Sequence, residues 1–227
     1  MKALPKLLGG ASTLALAMTL SLSAQPNLLV DPGFELGVAG QPNPIPLPGG
    51  AGGGWAVFNG AGISSAQPES GIYSLQEIQG IGSAWNFMAA YQVIGGVSAG
   101  QQYTVSADFM TPTGITSTGY NPVLIQLTYF SAAGADLGTV ETGGSGARAV
   151  QYLPAAANLW YNATVTATAP AGAAFVAPYL AFMENGTQTG PDALYWDNAN
   201  MILVPEPSIL ALLGTGLALG LLRRRNS

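Results

Sequence analysis

Short stretches in which apolar and polar residues alternate fill the middle of the chain. The alternation is clearest in residues 102–109, where every second residue from Tyr103 onward is apolar. Residues 123–129 and 161–168 repeat the pattern, with Gln, Thr and Asn between the apolar positions. A period of two is typical of β-strands that bury one face, so these segments predict three strands of an antiparallel sheet.

Four further segments extend this pattern. Residues 174–183 are apolar on both faces and predict a buried central strand, although Pro178 weakens that interpretation. Residues 71–78, 91–97 and 193–203 predict additional strands. Gly- and Pro-rich segments separate the strands, at 40–54, 111–122 and 141–147. The pattern therefore predicts one all-β sandwich domain over residues 25–203.

The amino terminus, residues 1–24, has the composition of a secretory signal peptide. Lys2 and Lys6 supply the positive start, and an apolar run from Leu7 to Leu22 leads to small residues. Cleavage after Ser23 or Ala24 by signal peptidase would release the mature protein, whereas an uncleaved segment would act as an anchor. Both alternatives place the middle of the chain outside the cytoplasm.

The carboxyl-terminal segment 204–227 combines three parts in a fixed order. An accessible proline-flanked motif at 204–207 precedes an apolar run at 208–222 and a basic end at 223–227. The motif residues are Val204, Pro205, Glu206 and Pro207, and the basic residues are Arg223, Arg224 and Arg225. The charge-free run predicts a transmembrane helix that is shorter than the roughly 20 residues of a full span, and the arginines would stay on the cytoplasmic side. This shortness favours a transient membrane handle over a permanent anchor.

This tail closely resembles the PEP-CTERM sorting signal of exported bacterial proteins. The resemblance implies that exosortase, a membrane-embedded cysteine protease, reads the motif and removes the tail. It also implies a transient stay in the inner membrane, followed by delivery to the cell surface or the extracellular space. An ordinary C-terminal membrane anchor is the alternative, but it leaves the VPEP sequence unexplained.

A second resemblance extends over most of residues 27–203. The segment 27–35, which reads NLLVDPGFE, resembles the opening strand of carbohydrate-binding modules with the galactose-binding jelly-roll fold. Later segments resemble the family in the same order, at Trp55, 71–75, 100–106, 160–170 and 195–198. The resemblance implies a jelly-roll β-sandwich with Trp55, Trp160 and Trp196 in its core. Since this fold serves many roles, the resemblance does not by itself establish sugar binding.

Charge and composition exclude several classes of function. Between the two terminal segments, Arg148 is the only basic residue against ten acidic ones, which gives this part a formal charge of −9. Such a domain would repel nucleic acid, but it is compatible with divalent cations and neutral sugars. The chain has no cysteine and no histidine, so disulfides, thiolate chemistry and a Ser-His-Asp triad are excluded.

Acidic residues near the two ends of the domain are candidate calcium ligands. In the family that the chain resembles, acids at the positions of Glu35 and Asp197 often help to hold a structural calcium, and Asp31 is a third contributor here. Ca²⁺ takes six to eight oxygen ligands, which acidic loops and backbone carbonyls supply. The alternative is that these carboxylates are solvated or hydrogen-bonded at strand ends.

Candidate sugar-binding residues are an aromatic platform and polar side chains near it. Trp85 and Tyr120 lie in loop-like surroundings and would stack on the apolar face of a sugar. Asn86, Asp108 and Gln126 would contact its hydroxyl groups. The alternative is that the two aromatic residues only cover loops.

The sequence thus predicts an exported, exosortase-sorted, non-catalytic protein of the cell surface or extracellular matrix that binds polysaccharide. One alternative is a structural or adhesive matrix protein with no defined sugar ligand. Another is a small glycoside hydrolase that uses paired carboxylates, such as Glu69 with Glu77 or Asp192 with Asp197. Neither pair has a sequence context that distinguishes it from surface acids.

Overall fold

The computed structural model describes residues 25–36, 54–78, 86–113, 123–141, 144–145, 156–184 and 193–205. Twelve strands form in these parts of the chain: β1 Ala56–Phe58, β2 Ala61–Ser64, β3 Ser74–Ile78, β4 Asn86–Tyr91, β5 Ile94–Gly95, β6 Gln102–Met110, β7 Val123–Ser131, β8 Asp136–Glu141, β9 Gly144–Ser145, β10 Tyr161–Thr168, β11 Ala173–Glu184 and β12 Ala193–Val204. The signal-peptide prediction at 1–24 and the helix prediction at 208–222 both lie outside these residues. No segment that the structure describes forms a helix long and apolar enough to cross a membrane.

The strands form two antiparallel sheets. The seven-stranded sheet has the order β1-β4-β11-β7-β8-β9, and β5 pairs with β11 beside β4. The five-stranded sheet has the order β10-β6-β12-β3-β2. Buried side chains from both sheets form one core, so the all-β sandwich predicted from the alternation is confirmed.

The alternating strands bury the faces that the sequence pattern assigned to the interior. Tyr103, Val105, Ala107 and Phe109 of β6 are all buried in the common core. The outward residues of the same strand are partly exposed, except Met110 at its end. Across the ladder, β10 alternates in register with β6, with its threonines facing solvent. The tryptophans at 55 and 196 are fully enclosed in the core, whereas the one at 160 is partly exposed and packs on the outer face of the five-stranded sheet.

The β11 strand lies at the centre of the seven-stranded sheet, between β4 and β7, as its two apolar faces predict. Pro178 is compatible with this position because the pairing of β11 with β4 and β5 is interrupted there, while the pairing with β7 continues. Tyr179 pairs with Tyr91 at the end of β4, and Val176 pairs with Ile94 at the start of β5, with no recorded pair between them. The backbone N–H that proline lacks is therefore not needed on that side.

Other strand boundaries differ from the sequence predictions. The predicted strand 91–97 is divided into the end of β4 and the short β5, because Gln92 turns its side chain to Val30 instead of continuing the pattern. The connection predicted at 141–147 contains β9. The segment 27–35 is not a strand, because Asp31 and Phe34 have positive φ angles of 52° and 62°, which fold the chain into turns.

The start of the described chain is attached to the last strand. The Leu28 backbone N–H donates to the Met201 carbonyl at 2.8 Å, and the Asn27 side chain bonds both Ala199 and Met201. The end of β12 at Val204 continues the pairing with β6, opposite Gln102. The motif Val204–Pro207 therefore begins on the last paired residue of the domain.

Candidate glycan-binding site

A row of four side chains crosses the outer face of the seven-stranded sheet. Tyr91 on β4 pairs with Tyr179 on β11, which pairs with Gln126 on β7, which pairs with Glu141 on β8. Since neighbours such as Leu180 and the residue at 125 face the core, these four face outward. We call this set the outer row. Adjacent strands lie about 4.8 Å apart, so the outer row extends about 14 Å across the sheet.

One half of the outer row is aromatic. The rings of Tyr91 and Tyr179 stack with centroids 4.9 Å apart and an interplanar angle of 21°. Beside them, Ala89, Leu124 and Ala181 form a buried apolar patch on the same face. Burial, followed by the nearby Tyr91 ring and the charge of Asp136, raises the pKa of Tyr179 to about 12. The Tyr179 hydroxyl therefore stays protonated and can donate or accept a hydrogen bond.

The other half of the outer row is polar. Gln126 Nε2 donates to Glu141 Oε1 at 2.5 Å, and the two side chains are partly exposed. On the next rung, the hydroxyl groups of Thr128 and Thr139 are hydrogen-bonded at 2.9 Å. This bond uses one of the two N–H groups of the Gln126 amide, so the second N–H can donate to a ligand. These mutual bonds hold the polar side chains upright on the sheet.

The outer row joins the two features that a sugar needs. An aromatic ring receives the apolar CH face of a pyranose, and ordered amide, carboxylate and hydroxyl groups bond its hydroxyls. The rigid β-sheet fixes the spacing between the two halves before any ligand arrives, so little entropy is lost on binding.

The predicted sugar-binding residues are not all brought together. Gln126 lies in the outer row, but Asp108 lies on the outer face of the other sheet, where it accepts a bond from Asn162 Nδ2 at 2.8 Å. The whole sandwich separates these two side chains. Asn86 is the first residue of β4, while Trp85 and Tyr120 lie outside the described residues.

Sequence reasoning missed both tyrosines and Glu141. The segment 174–183 is apolar on both faces, so its sequence does not mark Tyr179 as outward-facing. Tyr91 was placed at the start of a strand, but its partner strand was unknown. Only the order and register of β4, β11, β7 and β8 place the four residues in one row, and the sequence of one strand does not show which strands lie beside it.

A second cluster contains two of the predicted calcium ligands, Glu35 near the start of the described chain and Asp197 in β12. Glu35 accepts hydrogen bonds from the backbone N–H groups of Ile72 and Tyr73 at 3.0–3.1 Å. Asp197 Oδ2 accepts two from Glu69 and Ser70 at 2.9 Å, and its Oδ1 accepts one from the next residue. Both carboxylates thus hold the backbone segment 69–73, and we call this arrangement the carboxylate latch.

The carboxylate latch explains why residue 71 is a glycine. Gly71 has a φ of +63°, which residues with a side chain rarely adopt. A Cβ at this position would also overlap the Glu35 carboxylate. Burial, together with the charge of Glu35, raises the pKa of Asp197, while the three backbone N–H donors oppose that shift.

Calcium binding by Glu35, Asp197 and Asp31 stays a prediction, because a shell completed by backbone carbonyls needs fewer than three acidic side chains. Among the residues that the structure describes, no three His, Cys, Asp or Glu side chains are grouped so as to hold a metal ion. Asp31 presents its backbone carbonyl to Trp55 Nε1 at 2.9 Å. Backbone N–H groups of residues 69–73 already donate to both carboxylates, which is the arrangement that the hydrogen-bonded alternative describes.

Chelation distinguishes these alternatives. We expect EDTA to leave the melting temperature of the purified protein unchanged within about 1 °C, because backbone donors do the work of a cation in the carboxylate latch. Thermal unfolding followed by circular dichroism, with and without added CaCl₂, measures this. A fall of several degrees that CaCl₂ restores would establish the predicted calcium instead.

Of the carboxylate pairs considered for hydrolysis, Glu69 and Glu77 do not share one open site. Glu69 is exposed, while Glu77 is fully buried in the core. Asp192 lies outside the described residues. Glu69 does pair with Asp108: burial first, then the Asp108 charge and a hydrogen bond to it, raise the pKa of Glu69. A neighbouring acid thus raises the pKa of Glu69, and carboxylate clusters with a structural role show such shifts as catalytic ones do.

Comparison with known protein families identifies the carboxyl-terminal segment. Residues 203–226 match the PEP-CTERM protein-sorting motif, so this chain carries that signal. No curated protein matches the chain. The match begins at Leu203, so it overlaps the last two paired residues of β12.

Several solved structures share the sandwich arrangement at low identity. TmCBM61, solved with β-1,4-galactotriose, is 16% identical with a TM-score of 0.44, over 79% of this chain and 99% of its own. The CBM22-1 xylan-binding domain from Paenibacillus barcinonensis Xyn10C is 14% identical with a TM-score of 0.46, over 81% and 99%. The enzymatically active domain of bacteriophage CBA120 tailspike protein 4 is 11% identical with a TM-score of 0.45, over 66% of this chain, which spans 19% of that protein. Since binding modules and an enzyme both appear, these neighbours do not assign an activity.

Proposed function

We propose that this chain is an exported, non-catalytic protein of the cell surface or extracellular matrix that binds glycan through the outer row. Signal peptidase removes residues 1–24, exosortase reads the PEP-CTERM motif, and the tail holds the protein in the inner membrane only until it is cleaved. The single observation that carries the proposal is the sorting motif, which begins where the folded sandwich ends.

Glycan binding is supported by the composition of the outer row and by the partial exposure of its four side chains. Tyr179 and Tyr91 provide a stacked aromatic surface, and Gln126 and Glu141 provide ordered polar groups beside it. The domain charge of −9 and the carboxylate of Glu141 would repel anionic polysaccharides, so the proposed ligand is a neutral glycan. A non-catalytic role is supported by the separation of Glu69 from Glu77.

Removing one ring tests the binding surface. We expect Tyr179→Ala to weaken binding of a neutral oligosaccharide at least tenfold, or about 1.4 kcal/mol, because one side of the stacking surface is lost. Tyr179→Phe, which keeps the ring, should bind within a few-fold of the wild type. Titration calorimetry against the tightest neutral oligosaccharide found on a glycan array gives both affinities.

Thr104→Ala is the matched control, because Thr104 lies on the outer face of the other sheet, where it bonds Thr166. It should leave the affinity unchanged. Equal affinities of Tyr179→Ala and the wild type would exclude the outer row as the binding surface. An array with no signal for the wild-type protein would favour the structural or adhesive alternative.

A further inference from the structure

β10 is the edge strand of the five-stranded sheet. It pairs with β6 over all eight of its residues and is the last strand in the sheet order. In an antiparallel strand, successive backbone groups point alternately toward the two sides. Half of the N–H and C=O groups of β10 therefore point away from β6, and in the described part of the chain no strand pairs with that side. Such a row is a template for another strand.

The other edges of the sandwich carry features that discourage such pairing. β1 has three residues, β2 four and β9 two, which is too short to recruit a partner. β8 contains two acids, Asp136 and Glu141, and Gly138 with a φ of +129°, and its register is irregular beside β7. Short strands, charges and bulges are the usual means by which proteins protect their edges.

β10 has none of these features. Its sequence, YNATVTAT, contains no charged residue, no proline and no glycine, and its register with β6 is unbroken. The side chains of Asn162, Thr164, Thr166 and Thr168 are exposed. They stand in order on the sheet because Thr166 bonds Thr104 at 2.8 Å and Thr164 bonds Asn162 at 2.9 Å. The strand is thus straight, ordered and ready to pair.

The symmetry of an antiparallel edge favours a second copy of this chain as the partner, and the neutrality of β10 permits it. Two domains with a formal charge of −9 repel each other over most of their surfaces. At β10 the repulsion is smallest, because the strand is neutral and the amide of Asn162 covers Asp108 on the next strand. An antiparallel strand can also pair with its own copy about a two-fold axis, which gives a closed dimer.

We propose that β10 is a homodimerisation edge, at which two copies pair antiparallel and join their five-stranded sheets into one of ten strands. Cross-strand threonine pairs, of the kind that Thr104 and Thr166 form within one copy, line the outer face of the junction. The partner copy does not cover the outer row, since that row lies on the other sheet, and the dimer therefore carries two such rows.

The absence of cysteine in this chain allows a direct cross-linking test. Four variants of the full chain each carry one cysteine on β10: Asn162→Cys, Thr164→Cys, Thr166→Cys and Thr168→Cys. Each variant is expressed in its native envelope, alone and together with each of the others, and is then mildly oxidised. We expect at least one combination to give a disulfide-linked dimer at ten times or more the yield of Ala133→Cys. Ala133 is an exposed control position in the β7–β8 turn.

A charge variant gives an independent measurement on the exported protein. Thr164→Glu with Thr166→Glu places like charges on both copies and should convert a dimer to a monomer in sedimentation velocity, raising the dimer Kd at least tenfold. Ser106→Glu, one strand in from the edge, is the matched control and should leave the dimer intact. Cross-links no stronger than those of Ala133→Cys, cross-links to a different protein, or a wild-type monomer at all concentrations would each overturn the proposal.

Discussion

Replacing Glu77 by glutamine is expected to stabilise the protein at pH 8 while leaving it no more stable at pH 5. Glu77 follows Leu75 on the inward face of β3 and is fully buried. Its Oε2 accepts a hydrogen bond from Trp196 Nε1 at 3.1 Å, but its buried Oε1 has no partner. A charged carboxylate in this position would lack the bonds and counter-charge that a buried charge requires.

Burial accordingly raises the pKa of Glu77 well above its ordinary value, with the Trp196 bond acting weakly in the opposite direction. A carboxyl group whose folded pKa is raised binds more protons in the folded state than in the unfolded state. Its contribution is therefore fully present below the unfolded pKa and is lost as pH rises toward the folded pKa. The loss amounts to about 1.4 kcal/mol for each pH unit between the two values.

Urea denaturation from pH 5 to pH 8 measures this effect as the difference in unfolding free energy between the wild type and Glu77→Gln. The glutamine keeps an acceptor for Trp196 but cannot ionise, so the difference should grow with pH in favour of the variant. Gln102→Glu is a control, because it adds a carboxyl group at an exposed position of β6, where solvent screens the charge and the slope should change little. A wild-type slope equal to that of Glu77→Gln would show that Glu77 does not titrate in the core.

The second large effect concerns the sorting motif. We expect Glu206→Ala to reduce the fraction of protein that loses its tail at least tenfold, so that the precursor accumulates in the inner membrane. A protease that reads a carboxylate between two prolines would lose a charge-assisted hydrogen bond, which contributes about 1.5–3 kcal/mol. Pulse-chase labelling in the native host, followed by membrane fractionation, gives the processed fraction.

Ser208→Ala is the matched control, since it lies one residue beyond the motif and should be processed as the wild type is. Deleting the sorting protease should reproduce the Glu206→Ala result in the wild-type chain. Equal processing of Glu206→Ala and Ser208→Ala would mean that the glutamate is not read.

The end of the last strand exposes the first proline of this motif. Proline has no N–H to continue a ladder, so the pairing of β12 with β6 ends at Val204, and Pro205 is exposed. The same residues therefore end the last strand and begin the signal. The folded domain and the sorting signal thus share Leu203 and Val204, and no linker separates them.

The sequence was sufficient for the fold class because strand alternation is a local signal. In β6, β7 and β10 the apolar residues occur at every second position, and each of these strands is found with the predicted face buried. The turn chemistry of residues 31–34 was missed because a positive φ at Phe34 depends on the packing of its ring against Trp55, 5.0 Å away. That contact is formed only in the folded chain.

The candidate site was predicted less completely, since it depends on register. Gln126 was identified from the polar face of one strand, but its neighbours Tyr179 and Glu141 come from strands far away in sequence. The sequence likewise gave no indication that Asp108 and Gln126 lie on opposite sides of the sandwich. Side chains that act together across a sheet become visible only when the strand order is known.

The intact mass of the mature protein, isolated from its native envelope, tests the central claim most directly. Export and sorting predict a chain that begins near residue 25 and ends close to the motif Val204–Pro207, without Arg223, Arg224 and Arg225. A chain that keeps these arginines, in equal amount with and without the sorting protease, would contradict the account.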